Sequence, residues 1–142
     1  MNNSNLTEQQ IAHLGMIQGI ISRMASNSFA LKALAVTIIS AIIAIAGSQT
    51  NTTSQSAYVG LLPVLIFWLL DAKYLRLERL YRKLYDHIRM NNDFDAFSMK
   101  TSDFEKDVSS PLRIAFSWSV IWFYVSAAMA LVAGSQLSCI LK

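Results

Sequence analysis

Between Phe67 and Arg89 the chain moves from an apolar to an aqueous pattern without any sign of a break. The stretch FWLLDAKYLRLERLYRKLYDHIR opens as lipid-grade sequence and ends strongly basic, with no Gly or Pro inside it to interrupt a helix. The spacing predicts one helix that leaves an apolar medium and continues into water. Everything else must hold that helix, orient it or pair with it.

Composition sets the medium. The chain is 54% hydrophobic and 15% charged, with a mean hydropathy of +0.38, whereas soluble domains carry about a quarter charged residues. Nine of the twelve Lys/Arg fall between Lys73 and Arg113, and the apolar runs on either side hold almost none. Membrane spans and their flanks have this distribution. The expected fold is an all-α integral membrane protein with an N-terminal amphipathic helix, three transmembrane helices, and a long second helix extending into the cytoplasm.

Residues 1–10 are polar and read as frayed, within an N-terminal segment of residues 1–28. In residues 11–25, Leu14, Ile17, Ile21 and Met24 share a helical face, with Gln10, His13, Gln18 and Ser22 largely off it. This helix is too short to cross about 30 Å of hydrocarbon. It either lies in the interface or packs on a partner helix. Gly15 and Gly19 permit a close helix contact. Asn27-Ser28 reads as the N-cap of the first span, residues 29–47. Lys32 snorkels from its first turn. Ala33, Thr37 and Ala41, with Ser40 and Ala44, suit helix packing in lipid. An uncharged loop follows, whose N-x-T at Asn51 matters only in a secretory pathway.

The second span is residues 57–71, with Pro63 bending it locally. In the basic helix below it, Leu70, Tyr74, Leu77, Tyr81, Leu84 and Ile88 alternate four and three, a heptad seam. The seam serves a second copy, the N-terminal helix, or the membrane face. Glu78 pairs with Arg82 at i,i+4. Residues 73–89 carry six basic and two acidic side chains, and residues 93–107 carry five acids and two lysines. Ser102 with Glu105 forms a capping-box pattern. Ser110-Pro111 reads as a cap with proline at the first helical position. The cytoplasmic region of residues 72–110 then gives way to the third span, residues 112–133, and an external tail, 134–142. Cys139 is the lone cysteine and reads as a passive thiol.

The loop between spans two and three is basic and the one between spans one and two is uncharged. The N-terminus and residues 72–111 are therefore expected in the cytoplasm, with the C-terminus outside. Lys32, Asp71 and Arg113 then share the inner interface. A half-buried Asp71 takes Lys32 or Arg113 as partner, or stays solvated.

No metal-ligand spacing, phosphate loop or nucleophile elbow is present, so no enzyme and no cofactor are expected. The basic helix has two readings. One is a topology signal attracted to anionic lipid. The other is an anionic-ligand site in which Arg76, Arg79, Arg82, Lys83 and Arg89 meet phosphates, the tyrosines stack on bases, and the acidic segment folds over the helix when the ligand is absent. Thr37, Ser40, Ser119 and Ser126 are pore-lining candidates in a homo-oligomer, with small-residue helix packing as the other reading.

The order of elements and two stretches carry a resemblance. The stretches are Leu75, Glu78, Arg79, Arg82 and Tyr85, in an L-x-x-E-R-x-x-R-x-x-Y pattern, and RMASNSF at 23–29. The layout resembles SLATT-type membrane effectors and is similar to the channel subunit of the Hailong defence system, over about residues 11–90. The third apolar run departs from the two-span SLATT plan. The resemblance implies a bacterial inner-membrane pore in antiviral defence, controlled by a nucleotide or oligonucleotide messenger from a nucleotidyltransferase of the same system.

Overall fold

The structure, a computed structural model, describes residues 7–48, 55–90 and 97–140. The N-terminal hexapeptide, Asn51 and its loop, Asn91-Asn92, and the acids Asp93 and Asp95 lie outside the described residues, as does the Cys139 side chain. Among the described residues four α-helices follow one another: α1 (Glu8–Ser48), α2 (Gln55–Met90), α3 (Pro111–Ala115) and α4 (Trp118–Ile140), with a 3-10 turn at Ser102–Phe104. No strand occurs among the described residues. Among the described residues one helix segment, Glu8–Ile45, is long and apolar enough to cross a membrane.

The amphipathic helix and the first apolar run, expected as two elements, form one helix of 41 residues, about 60 Å long. Asn27-Ser28 caps nothing. The Ser28 hydroxyl donates to Asp71 on α2 instead, so the chain has no reason to leave the helix there. The N-terminus is not frayed from residue 7 onward. Thr7 Oγ1 accepts the Gln10 N–H at 3.3 Å, the side-chain cap that satisfies an orphan donor of a first turn. Helix α2 runs 36 residues with Pro63 inside it.

The third run is split. Ser110 caps α3 by accepting the Arg113 N–H, with Pro111 at the first position. The helix then stops at Phe116, Ser117 starts a new one by accepting from Val120 and Ile121, and α4 continues well past residue 133. The Ser102–Glu105 capping box does not form. Ser102 Oγ donates to Asp103 at 3.1 Å, and the turn before Glu105 is a single 3-10 turn with no side-chain cap.

Packing divides the molecule into two sections. In one, Ala35 and Ile39 of α1, Val64 of α2, and Val120, Tyr124 and Leu131 of α4 form a core. Gly60 and Gly134 sit where a Cβ would lie 2.9 Å from Leu131 and Ile43 respectively, so the helices close on glycine there. In the other, Leu14, Ile17 and Ile21 of α1 pack on Leu84 and Ile88 of α2. The lower heptad seam is therefore filled by the chain's own N-terminal helix. Its upper positions differ. Leu70 is exposed and Tyr74, Leu77 and Tyr81 are half-buried. Leu80, off the seam, is buried with Ala72, Val108, Ile114 and Ala115, because α3 packs on another side of α2.

The two sections have unlike surfaces. Around the first, large apolar side chains face outward on all three helices, among them Phe29 (75% exposed), Leu62, Leu65, Trp118 (78%) and Met129. Only 17% of the most apolar window of α1 is buried, unlike the core helix of a globular domain.

Candidate functional site

The two sections meet at a buried polar cluster. Asp71, on α2, is fully buried. Its Oδ2 lies 2.5 Å from Lys32 Nζ, and its Oδ1 accepts from the Ser28 hydroxyl. Lys32 also donates to Ser28 Oγ at 3.0 Å, and its ammonium sits 6.0 Å from the centre of the Phe123 ring. Ser28 and Lys32 are four residues apart on one face of α1, so both reach the same carboxylate. Buried charge is tolerated when it is paired and its remaining lone pairs are hydrogen-bonded, and both carboxylate oxygens meet that condition. From α4, the buried Tyr124 is within reach of the Asp71 charge, yet its hydroxyl makes no hydrogen bond of ordinary geometry. Of the two partners expected for Asp71, the structure brings in Lys32. Arg113 stands exposed on α3, its backbone N–H on Ser110.

Three of the five basic candidates converge. Arg79, Arg82 and Lys83 line a groove of about 260 Å³ whose other wall is Asp107, Val108 and Ser109, with Asp86 at its edge. The end of the acidic segment thus lies across the basic face of α2. Arg82 is engaged by Glu78 at 2.7 Å. Arg89 stands apart, 3.8 Å from Asp86. Arg76 is half-buried, with an Nε that has no hydrogen-bond partner.

The pore-lining candidates all face outward. Thr37, Ser40, Ser119 and Ser126 are exposed. Thr37 Oγ1 donates to Ala33 O at 2.9 Å and Ser126 Oγ to Phe123 O at 2.8 Å, so these two hydroxyls are satisfied by their own helices. One chain encloses no lumen with them.

A second polar cluster ties the far end of α1 to its neighbours. Gln10 and His13, assigned from periodicity to the polar face, are buried. Gln10 Nε2 donates to the Ile88 carbonyl at 2.7 Å, an orphan acceptor of the last turn of α2. His13 Nδ1 accepts the Phe97 N–H at 3.3 Å, and Nε2 faces Ser98 O at 3.1 Å. These partners assign the neutral Nε2–H tautomer. Phe97 has φ 66°, the left-handed region that bulky residues rarely adopt, and its ring lies 5.8 Å from the imidazole. His87, by contrast, is exposed and meets the Phe104 ring edge-on at 5.4 Å.

Sequence reasoning missed Ser28, Tyr124, Gln10 and His13. The Ser28–Lys32 spacing and the Thr7–Gln10 cap pattern were the available signals; Tyr124 had none. Among the described residues no group of three His, Cys, Asp or Glu is placed to hold a metal ion. No protein-family model, curated protein or solved structure matches the chain.

Proposed function

We propose that the chain is a bacterial inner-membrane protein whose copies assemble into an ion channel or pore gated by an anionic, nucleotide-type ligand in antiviral defence. The observation that carries this reading is continuity. Helix α2 runs unbroken from the apolar-surfaced section to the basic groove, and α1 runs unbroken beside it, packed on Leu84 and Ile88, so an anion held at Arg79, Arg82 and Lys83 acts on a rod that continues into the apolar-surfaced section. The groove-bearing section and the N-terminus face the cytoplasm, by the charge asymmetry of the loops. The SLATT and Hailong resemblance supports the ligand class and a nucleotidyltransferase as its source.

Assembly is assigned to α1 rather than to the seam on α2. Along the middle of its exposed face α1 carries only small residues: Ala12, Gly15, Gly19, Ser22, Ser26, Ala30, Ala33, Thr37, Ser40 and Ala44. Gly15 and Gly19 have open space where a Cβ would stand. Such faces let helix backbones approach closely in lipid, where packing replaces the hydrophobic drive. Thr37 and Ser40 lie on that line, at the boundary between copies.

Current across a planar bilayer tests the reading. Purified protein should conduct, and the current should change when oligoadenylates or cyclic nucleotides are added. Arg79→Ala with Arg82→Ala should weaken nucleotide binding by about 10²- to 10⁴-fold, at about 1.5–3 kcal/mol for each of the two charged hydrogen bonds lost, and leave the conductance itself intact. Absence of current in every condition would sink the pore.

A second reading is a non-conducting scaffold that anchors a cytoplasmic partner through residues 72–110. The outward, backbone-satisfied hydroxyls of Thr37 and Ser126 favour it. It expects no conductance, a monomer or dimer in detergent, and a soluble protein that co-purifies.

A further inference from the structure

Between α2 and α4 lies an open apolar groove of about 620 Å³, within the size range of small-molecule sites. Leu61, Leu65 and Trp68 form one wall, Ile121, Val125 and Ala128 the other. It exists because the third run is broken. Where α3 stops, Trp68 Nε1 donates to the freed Ala115 carbonyl at 2.9 Å, and its ring meets Phe116 edge-on at 5.3 Å. That aromatic pair closes one end of the groove. The groove extends along α2 from Trp68 to Leu61, about 10 Å, among the outward-facing apolar side chains. Its floor includes the ring of Tyr124, whose buried hydroxyl faces Asp71.

We infer that this groove holds an acyl chain of an anionic phospholipid, whose headgroup lies at Arg113. The proposal rests on the membrane reading above and is independent of the nucleotide reading. Charge complementarity selects the occupant. Arg113 is exposed on α3 three residues before Phe116, about one helical turn beyond the closed end. An apolar slot with an exposed cation about one helical turn from its aromatic end suits a hydrocarbon chain bearing a negative headgroup. Basic sites between membrane helices at the cytoplasmic side take such headgroups. A second copy of the chain is a poorer fit, because the small-residue line available to it runs along α1, and no α1 residue lines the groove.

Native mass spectrometry of the full chain tests this, after reconstitution in vesicles of equal phosphatidylglycerol and phosphatidylcholine with identical acyl chains. The chain should fly with one retained lipid, phosphatidylglycerol favoured about five-fold, the factor that about 1 kcal/mol for one arginine near the surface corresponds to. Arg113→Gln should abolish that preference and keep the lipid. Ala128→Phe, which fills the groove, should expel lipid of both kinds, and Val125→Trp at the groove edge should do the same if Ala128→Phe loses helicity by circular dichroism. A chain that stays with the vesicles but retains no lipid, shows no headgroup preference, or keeps its lipid in both filled variants overturns the groove assignment alone. Release of the wild-type chain from vesicles by carbonate wash overturns the membrane reading and the groove with it.

Discussion

Asp71 is the residue on which the three long helices agree. Its carboxylate is held by Ser28 and Lys32 from α1 and faced by Tyr124 from α4. Removing one partner of a buried pair leaves an uncompensated charge, which costs about 3–5 kcal/mol. Lys32→Met and Asp71→Leu should each destabilise the chain by about that amount in detergent unfolding. The double variant should recover most of the loss, because neither charge then remains. Isolated addition of the two single effects in the double variant would show that the pair is not coupled. His13 works at the other end. His13→Ala removes the acceptor of the Phe97 N–H and the donor to Ser98, at about 1–3 kcal/mol for the buried groups left unmatched. Trypsin should then cut at Lys100 faster than in the wild type, since Lys100 lies two residues past Ser98 on the segment that His13 anchors. The sequence placed Lys32 and Asp71 at one level through topology alone. It could not place His13, because burial of a polar side chain depends on a partner 84 residues away, and helical periodicity sees only the element's own face.

At the scale of elements, apolar periodicity marked the helical character of the described residues and missed where the helices join or break. A serine after an asparagine is a sound cap signal, but a cap forms only if the side chain is free to turn back on its own backbone. Ser28 is committed to Asp71, so α1 continues. The break at Phe116 has no proline or glycine to announce it. It is held instead by a distant donor, Trp68 Nε1, on the Ala115 carbonyl. Trp68→Phe keeps the aromatic volume and removes that donor, so it should cost about 1–3 kcal/mol in thermal unfolding. Ser110→Ala should cost about 1 kcal/mol as an ordinary cap loss, with helicity nearly unchanged. Leu84→Ala should cost about 2–5 kcal/mol, because that position is core within one chain. A seam kept free for a second copy would instead lose assembly with little change in the stability of the protomer.

For the whole molecule, the division into an apolar-surfaced section and a basic one was legible from charge segregation. The proposed assembly face was legible only in pieces, as Gly15–Gly19 and as Ala33, Thr37 and Ala41; that these join into one exposed line follows only once α1 is continuous. Gly15→Leu with Gly19→Leu separates assembly from folding. Both positions are open, and replacing glycine in a helix interior gains about 1 kcal/mol each. The protomer should be as stable as the wild type or more so, while light scattering after gel filtration should report a smaller particle. An unchanged particle mass would move the assembly face elsewhere. Gly60→Val is the contrasting change. Its side chain would enter space held by Leu131, which is fully buried, and should cost about 1–3 kcal/mol through overpacking without altering the mass.

The Ser28–Lys32–Asp71 cluster also sets terms for how this protein diverges. A lineage that loses the carboxylate at position 71 strands an ammonium at position 32 in an apolar section, and one that loses the lysine first strands the acid. Either intermediate is less fit to fold than its ancestor or its completed double change. Positions 32 and 71 should therefore drift together or stay fixed, with position 28 following, while the exposed Lys73, outside the proposed anion groove, changes alone. Sequencing related chains would read this as paired substitution across 39 positions, inherited from one buried contact.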